Sequence, residues 1–164
     1  MASGDLIATA VALILLIITA YVIIGGILST TEIVSTAQTE KFNTQETRMR
    51  TDIEITGVTI LQADGVMYLE VENTGKEMIS GFRYFDLHMT FMNQNEPVYY
   101  TYTSSSTPQT GEWTVGGITP DSIHKNQLDP GETLNMTVRF PAAGMPEWAQ
   151  VTTPNGVYDS GYLN

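Results

Sequence analysis

Thr51-Asp52-Ile53-Glu54-Ile55-Thr56-Gly57-Val58-Thr59-Ile60 decides the fold, because within it the apolar spacing of the chain changes. Ile53 and Ile55 alternate with Asp52, Glu54 and Thr56, and Val58 and Ile60 resume the pattern after a Gly57 suited to a bulge. A spacing of two belongs to a strand with one wet face. Upstream the spacing is helical. Ile33, Val34, Ala37, Lys41 (through its stem) and Phe42 form a narrow stripe, and Glu46 precedes Arg50 by four residues, the favourable order for a helix-surface pair. Ser29 to Thr51 contains neither Pro nor Gly, so the helix is predicted to run to about Arg50.

Farther back, Leu6 to Leu28 reads LIATAVALILLIITAYVIIGGIL, without a charged residue. As a helix this run spans roughly 35 Å, enough for a hydrocarbon layer of about 30 Å. A core helix of a water-soluble domain keeps a polar face, and here only Thr9, Thr19, Tyr21, Gly25 and Gly26 interrupt the aliphatic surface. The segment is expected to be a retained transmembrane helix, with Leu6, Ile14, Ile18, Ile23 and Leu28 as anchor residues, because the apolar run is too long for a cleaved signal and no basic residue precedes it. Residues 1–50 are thus predicted as anchor and stalk, and 51–164 as one outer domain. Lys41, Arg48 and Arg50 follow the span, which on the charge rule alone would put that domain in the cytoplasm. Its composition argues for the outside.

Downstream the period of two persists. Met67, Leu69 and Val71 alternate with Tyr68, Glu70 and Glu72; Phe85, Leu87, Met89 and Phe91 share one face while Tyr84, Asp86, His88 and Thr90 share the other; Leu134, Met136, Val138 and Phe140 repeat the pattern. Ala63-Asp64-Gly65, Asn73-Thr74-Gly75-Lys76, Leu128-Asp129-Pro130-Gly131-Glu132 and Pro154-Asn155-Gly156 read as turns. Val98 to Tyr102, Glu112 to Val115, Glu147 to Thr153 and Val157 to Tyr162 complete about seven or eight short strands, the pattern of an all-β immunoglobulin-like sandwich. Asn135 falls out of phase with Leu134 and Met136, so the sequon Asn135-Met136-Thr137 should face solvent as a glycosylation acceptor.

The chemistry of the domain is that of a binding surface. It has no Cys, and 17 of the 18 acidic residues lie beyond the anchor against seven Lys and Arg, a balance that excludes nucleic acid as a partner. His88 and His124 belong to no metal-ligand pattern, and no nucleophile elbow or phosphate-binding glycine loop occurs, so neither catalysis, a cofactor nor a small-molecule substrate is expected. Asp121, Asp129 and Glu132 are acidic turn residues that fit loop solvation better than a calcium site. Tyr99, Tyr100, Tyr102 and Trp113 fit strand packing, but they are also the residue types that anchor protein interfaces and are the candidate contact residues.

A helix that opens Met1-Ala2-Ser3-Gly4-Asp5-Leu6-Ile7, continues through the stalk Thr31-Glu32-Ile33-Val34-Ser35-Thr36-Ala37 and leads to a sandwich with Val71-Glu72-Asn73-Thr74-Gly75 and Leu128-Asp129-Pro130-Gly131-Glu132 resembles the archaeal type IV pilin superfamily. That superfamily includes archaellins and the archaellum accessory proteins FlaF and FlaG. The resemblance implies an extracytoplasmic sandwich on a membrane helix, homo- or hetero-oligomeric assembly, and surface-layer or archaellum proteins as partners. Pilins of the superfamily carry a basic residue and Gly before the helix; the opening here has no such site, which favours the accessory, stator-like type that anchors the motility machinery to the envelope. A structural subunit of an extracellular filament is the alternative.

Overall fold

In the computed structural model, which describes residues 2–92, 94 and 96–163, a single helix α1 occupies Ala2–Arg50 and is followed by eight strands. Contacts divide the chain into Met1–Thr44 and Gln45–Asn164. Within the first unit the helix is unbroken through Gly25 and Gly26. Nothing in that stretch removes a backbone donor, since the first proline of the chain is Pro97. The helix ends within the second unit. Thr51 N–H closes the last turn on Thr47 O at 3.0 Å, and the Arg50 carbonyl, which no longer has a helical donor, accepts Lys76 N–H at 2.7 Å. Gly75 makes that approach possible, for a side chain there would collide with the backbone of Asp52 and Arg50. Arg48 donates to Gly156 O at 3.3 Å, and Arg50 bridges Glu46 at 3.6 Å, as its spacing predicted, and Glu77 at 3.5 Å.

The strands are β1 Glu54–Leu61, β2 Val66–Glu72, β3 Asp86–Phe91, β4 Val98–Tyr102, β5 Glu112–Thr119, β6 Thr133–Arg139, β7 Pro146–Thr152 and β8 Tyr158–Tyr162. Their order is β1-β2-β6-β5-β4-β3-β7-β8, all antiparallel except the β4–β5 pair. The ladder folds over into two layers joined through β4, and its ends come close enough for Ile55 of β1 to bond Asp159 of β8, so the sandwich is nearly a barrel. The register of β1 on β2 slips between Ile55 and Gly57, which places a bulge where the glycine interrupts the alternation.

Alternation in the sequence becomes burial in the structure. Met67, Leu69, Val71, Leu87, Met89, Leu134, Met136 and Val138 are all fully buried, with Phe85, Phe91 and Phe140 beside them, while Asp86 and Glu70 are exposed. Each fully buried aliphatic or Met side chain contributes about 1.5–3 kcal/mol of transfer free energy, so a slip of one residue in any of these strands would invert the core. The fold of one long apolar helix followed by an eight-stranded sandwich is the one the two periods predict.

Candidate functional site

The surface of α1 is the first candidate. Ile14, Ile18 and Ile23 are 57%, 52% and 60% exposed, and apolar side chains face outward on every side from Ile7 to Ile27. Of the five predicted anchor residues, Leu6 and Leu28 have side chains outside the described set. The threonines in the helix hide their polarity. Thr9 Oγ1 donates to Asp5 O at 2.9 Å, and Thr19 Oγ1 to Leu15 O at 2.8 Å and Leu16 O at 3.0 Å. Thr30, Thr31, Thr36, Thr39 and Thr44 bond back over one turn in the same way. A hydroxyl satisfied by its own helix needs no water, which suits a helix packed in lipid or among other helices.

The four candidate contact residues part company. Tyr100 and Trp113 are 1% and 0% exposed: they fill the core and offer no surface, and burial pushes the Tyr100 hydroxyl up to about 12. Tyr102 is half-buried with its ring against the edge of Trp113, centroids 5.1 Å apart. Only Tyr99 is open, at 50%, leaning on His88 with ring centroids 5.4 Å apart. Partial burial, the Asp86 charge and a hydrogen bond to Asp86 together raise its pKa above the ordinary phenol value.

Register shows what the sequence left out. Tyr99, His88, Gln150 and Ser160 are successive cross-strand partners over β4, β3, β7 and β8, and Trp148 pairs with Tyr162 beside that row. Tyr158 and Tyr162 are 61% and 74% exposed. The outer face of this layer is therefore an aromatic strip whose β8 members, Tyr158 and Tyr162, lie two residues to either side of Ser160, a spacing that alternation within Val157–Tyr162 already contained.

On the other layer, Asn135 lies in mid β6 between Glu70 of β2 and Gly117 of β5, half-buried, and donates to Thr119 Oγ1 at 3.3 Å. The acidic loop before β6 is built inward. Asp129, 3% exposed, accepts His124 N–H and pairs with the His124 ring, both at 2.9 Å. Glu132, 4% exposed, accepts Ser122 N–H at 3.0 Å and Asp129 N–H at 3.1 Å, while Asp121 accepts Asn126 N–H. The His124 hydrogen bonds hold the Asp129 carboxyl below its usual range against the opposing effect of burial. These carboxylates act as caps for loop amides; among the described residues no group of three or more acidic, His or Cys side chains is placed to hold a metal ion.

Comparison with known proteins follows the same architecture. A family model described as archaeal-type flagellin matches residues 2–161. No curated protein matches the chain. Among solved structures, the archaeal flagellum of Methanospirillum hungatei strain JF1 aligns with a TM-score of 0.67 at 15% identity, over 96% of this chain and 92% of that one. It shares the whole fold, helix and sandwich together. The archaellum periplasmic stator protein complex FlaF and FlaG from Sulfolobus acidocaldarius aligns at 0.48 with 22% identity, over 68% of this chain and 87% of that one. The stator protein FlaG from the same organism also aligns at 0.48 with 22% identity, over 69% and 99%.

Proposed function

The chain belongs to the archaeal-type flagellin family, and from that premise we propose that it is a subunit of an archaellum filament, with its apolar helix packed among the helices of neighbouring copies and its sandwich outermost. The observation that carries the reading is the reach of the family match, which takes in residues 2–161 and so requires helix and sandwich in one continuous pattern. The exposed aliphatic surface of α1 and its self-bonded threonines support it, since such a helix has to be covered by lipid before assembly and by like helices after it. On this reading the chain starts as a membrane protein with residues 51–164 outside the cytoplasm, Ile14, Ile18 and Ile23 sit in the apolar layer, and the role is structural, not catalytic. Tyr99 and Tyr102 are the contact residues that remain of the four, and Asn135 is the glycosylation acceptor.

An accessory, stator-like role uses the same helix and the same acidic sandwich, with a surface-layer protein as the partner. The two roles separate on assembly. Cells carrying the tagged full-length chain are sheared, and filaments and membranes are collected apart. A filament subunit leaves with the sheared filaments in quantity. Retention in the membrane fraction at low copy, with co-purifying envelope protein, would replace the filament reading by the accessory one.

A further inference from the structure

Taken as a ring, the strand order puts two surfaces of unlike charge on opposite sides of the sandwich. Ile55 of β1 bonds Asp159 of β8, and from that seam two strands intervene in either direction before the β4–β5 pair is reached. Both surfaces lie toward the end where the last turn of α1 enters. Asp52 and Glu54 follow α1 directly. On the other side Asp86, which opens β3, pairs with Thr152, next to the turn whose Gly156 carbonyl accepts Arg48.

At the seam, Asp52, Glu54 and Asp159 are the charges around a hollow of about 530 Å³, with no Lys or Arg among its described lining residues. Asp159 accepts the Ile55 N–H at 2.8 Å, whereas Asp52 and Glu54 are exposed. Across the sandwich, Gly81, Phe82, Arg83, Tyr102, Thr103 and Ser104 line an open hollow of about 680 Å³, in which Arg83 is the one charged residue described. Its guanidinium lies 4.7 Å from the centre of the Tyr84 ring, a contact that restrains the side chain without neutralising it. Ion pairs among the described residues join Arg50 to Glu46 and Glu77, and His124 to Asp129. Arg83, Asp52 and Glu54 take part in none of them.

We propose that the Arg83 hollow of one copy receives the Asp52–Glu54 edge of a neighbouring copy, and that this contact orients adjacent sandwiches. The inference rests on the filament reading, which supplies the neighbour, and deepens it by naming the two faces that meet. Copies that each carry a net charge of −11 repel one another unless a cation of one is set against the carboxylates of the next. Because the two faces lie on opposite sides, a copy can use both at once. The contact therefore repeats head to tail, as a filament requires, and does not close on a pair. An exposed charge pair is weak and is screened within about 10 Å at 0.1 M salt. Its part is to fix the orientation of sandwiches that their helices already hold close together.

The chain has no Cys, so introduced cysteines report this contact alone. Ser104→Cys and Thr56→Cys mark the two faces at exposed positions. Cells carrying the full-length chain with both changes are treated with a short bismaleimide, and sheared filaments and membranes are run separately on denaturing gels. A ladder of dimers and higher multiples is expected, with monomers alone from either single-cysteine chain. Arg83→Glu in the double-cysteine chain should lower the cross-linked fraction about threefold, and Asp52→Lys with Glu54→Lys added to it should restore the ladder, a rescue that a misfolded sandwich would not show. Monomers in the fraction that holds the double-cysteine chain overturn the proposal. So does a ladder indifferent to Arg83→Glu, or dimers from Ser104→Cys alone, which would mean that like faces meet. The filament reading is judged apart from this, by which fraction holds the chain: monomers in sheared filaments leave it standing, and a chain confined to membranes removes it whether or not a ladder forms there.

Discussion

Residues 7–27 and the sandwich use the same side chains to opposite ends. Ile14, Ile18 and Ile23 are more than half exposed, whereas Leu69, Leu87 and Val151 are fully buried. A lone helix satisfies its own backbone but has nothing to bury its side chains against; a sheet folded on itself does both. The helix is therefore stable as a structure only where another apolar phase covers it. The sandwich buries its apolar side chains against one another. One chain thus carries an element whose apolar surface is meant for other molecules and a domain whose apolar surface is spent within itself.

The sharpest way to break that contrast is to charge the helix. Ile14→Lys together with Ile18→Lys places two ammonium groups near mid-span, at about 2.5–3.5 kcal/mol each for membrane insertion. The doubly substituted chain should leave the membrane fraction on alkaline extraction while its sandwich still unfolds at the same denaturant concentration. If extraction does not release it, the run does not insert as read. The reciprocal change belongs in the sandwich. Leu87→Ala should cost about 2–5 kcal/mol in denaturant unfolding and His88→Ala, one residue along on the outer face, under about 1 kcal/mol. Reversed sensitivities would mean that β3 packs with the opposite face inward.

Much of this was legible in the sequence where a period was clean. The sets Phe85-Leu87-Met89-Phe91 and Leu134-Met136-Val138-Phe140 reach the core as read, and the helix runs to Arg50 because no Pro interrupts it and the period of two takes over only at Ile53. Aromatic strands were harder. In Val98–Tyr102 both faces carry a ring, so alternation does not say that Tyr100 is the inner one, and in β5 Trp113 and Thr114 are both buried, which breaks the alternation altogether. Strand order was illegible for a further reason. Which edges meet, and that β4 runs parallel to β5, depends on packing between segments far apart in the chain, and local spacing carries no record of it. The aromatic strip across β4, β3, β7 and β8 is a product of that order.

Where the two regions part is a matter of a few hydrogen bonds. A fragment beginning at Thr51 lacks the Arg50 carbonyl that accepts Lys76 N–H, the Arg48 bond to Gly156 O and the Arg50 pairing with Glu77. A fragment beginning at Gln45 keeps all three. Both are expected to be soluble and β-rich by circular dichroism and to unfold cooperatively, the shorter with about 1–2 kcal/mol less stability, because the arginine contacts are solvent-exposed and only the backbone bond approaches full worth. Equal stability would put the boundary of the independent unit at Thr51. Helix-rich aggregation of both would show that the sandwich is not self-sufficient.

The smallest effect expected concerns pH, and it separates the two regions because only the sandwich has a buried carboxylate with a resolved shift. His124 donates its backbone N–H and pairs through its ring with Asp129, which holds that carboxyl below its usual 3.8 in the folded chain. A depressed folded pKa stabilises the folded form fully above the unfolded value, and this contribution is lost as pH falls through the lowered folded value. The sandwich should accordingly show constant support from this pair near neutral pH and lose it on acidification from about pH 4 downward. Asp129→Asn removes the titrating group while preserving an oxygen that can accept the His124 amide, so the slope of unfolding midpoint against pH in that window should flatten relative to the unaltered chain. Substitution of an exposed carboxylate such as Glu147→Gln serves as the control and should leave the slope unchanged. If both variants retain the original slope, the Asp129–His124 contact does not form in solution as it stands in the structure, and the side-chain caps that hold the loop before β6 are Glu132 and Asp121.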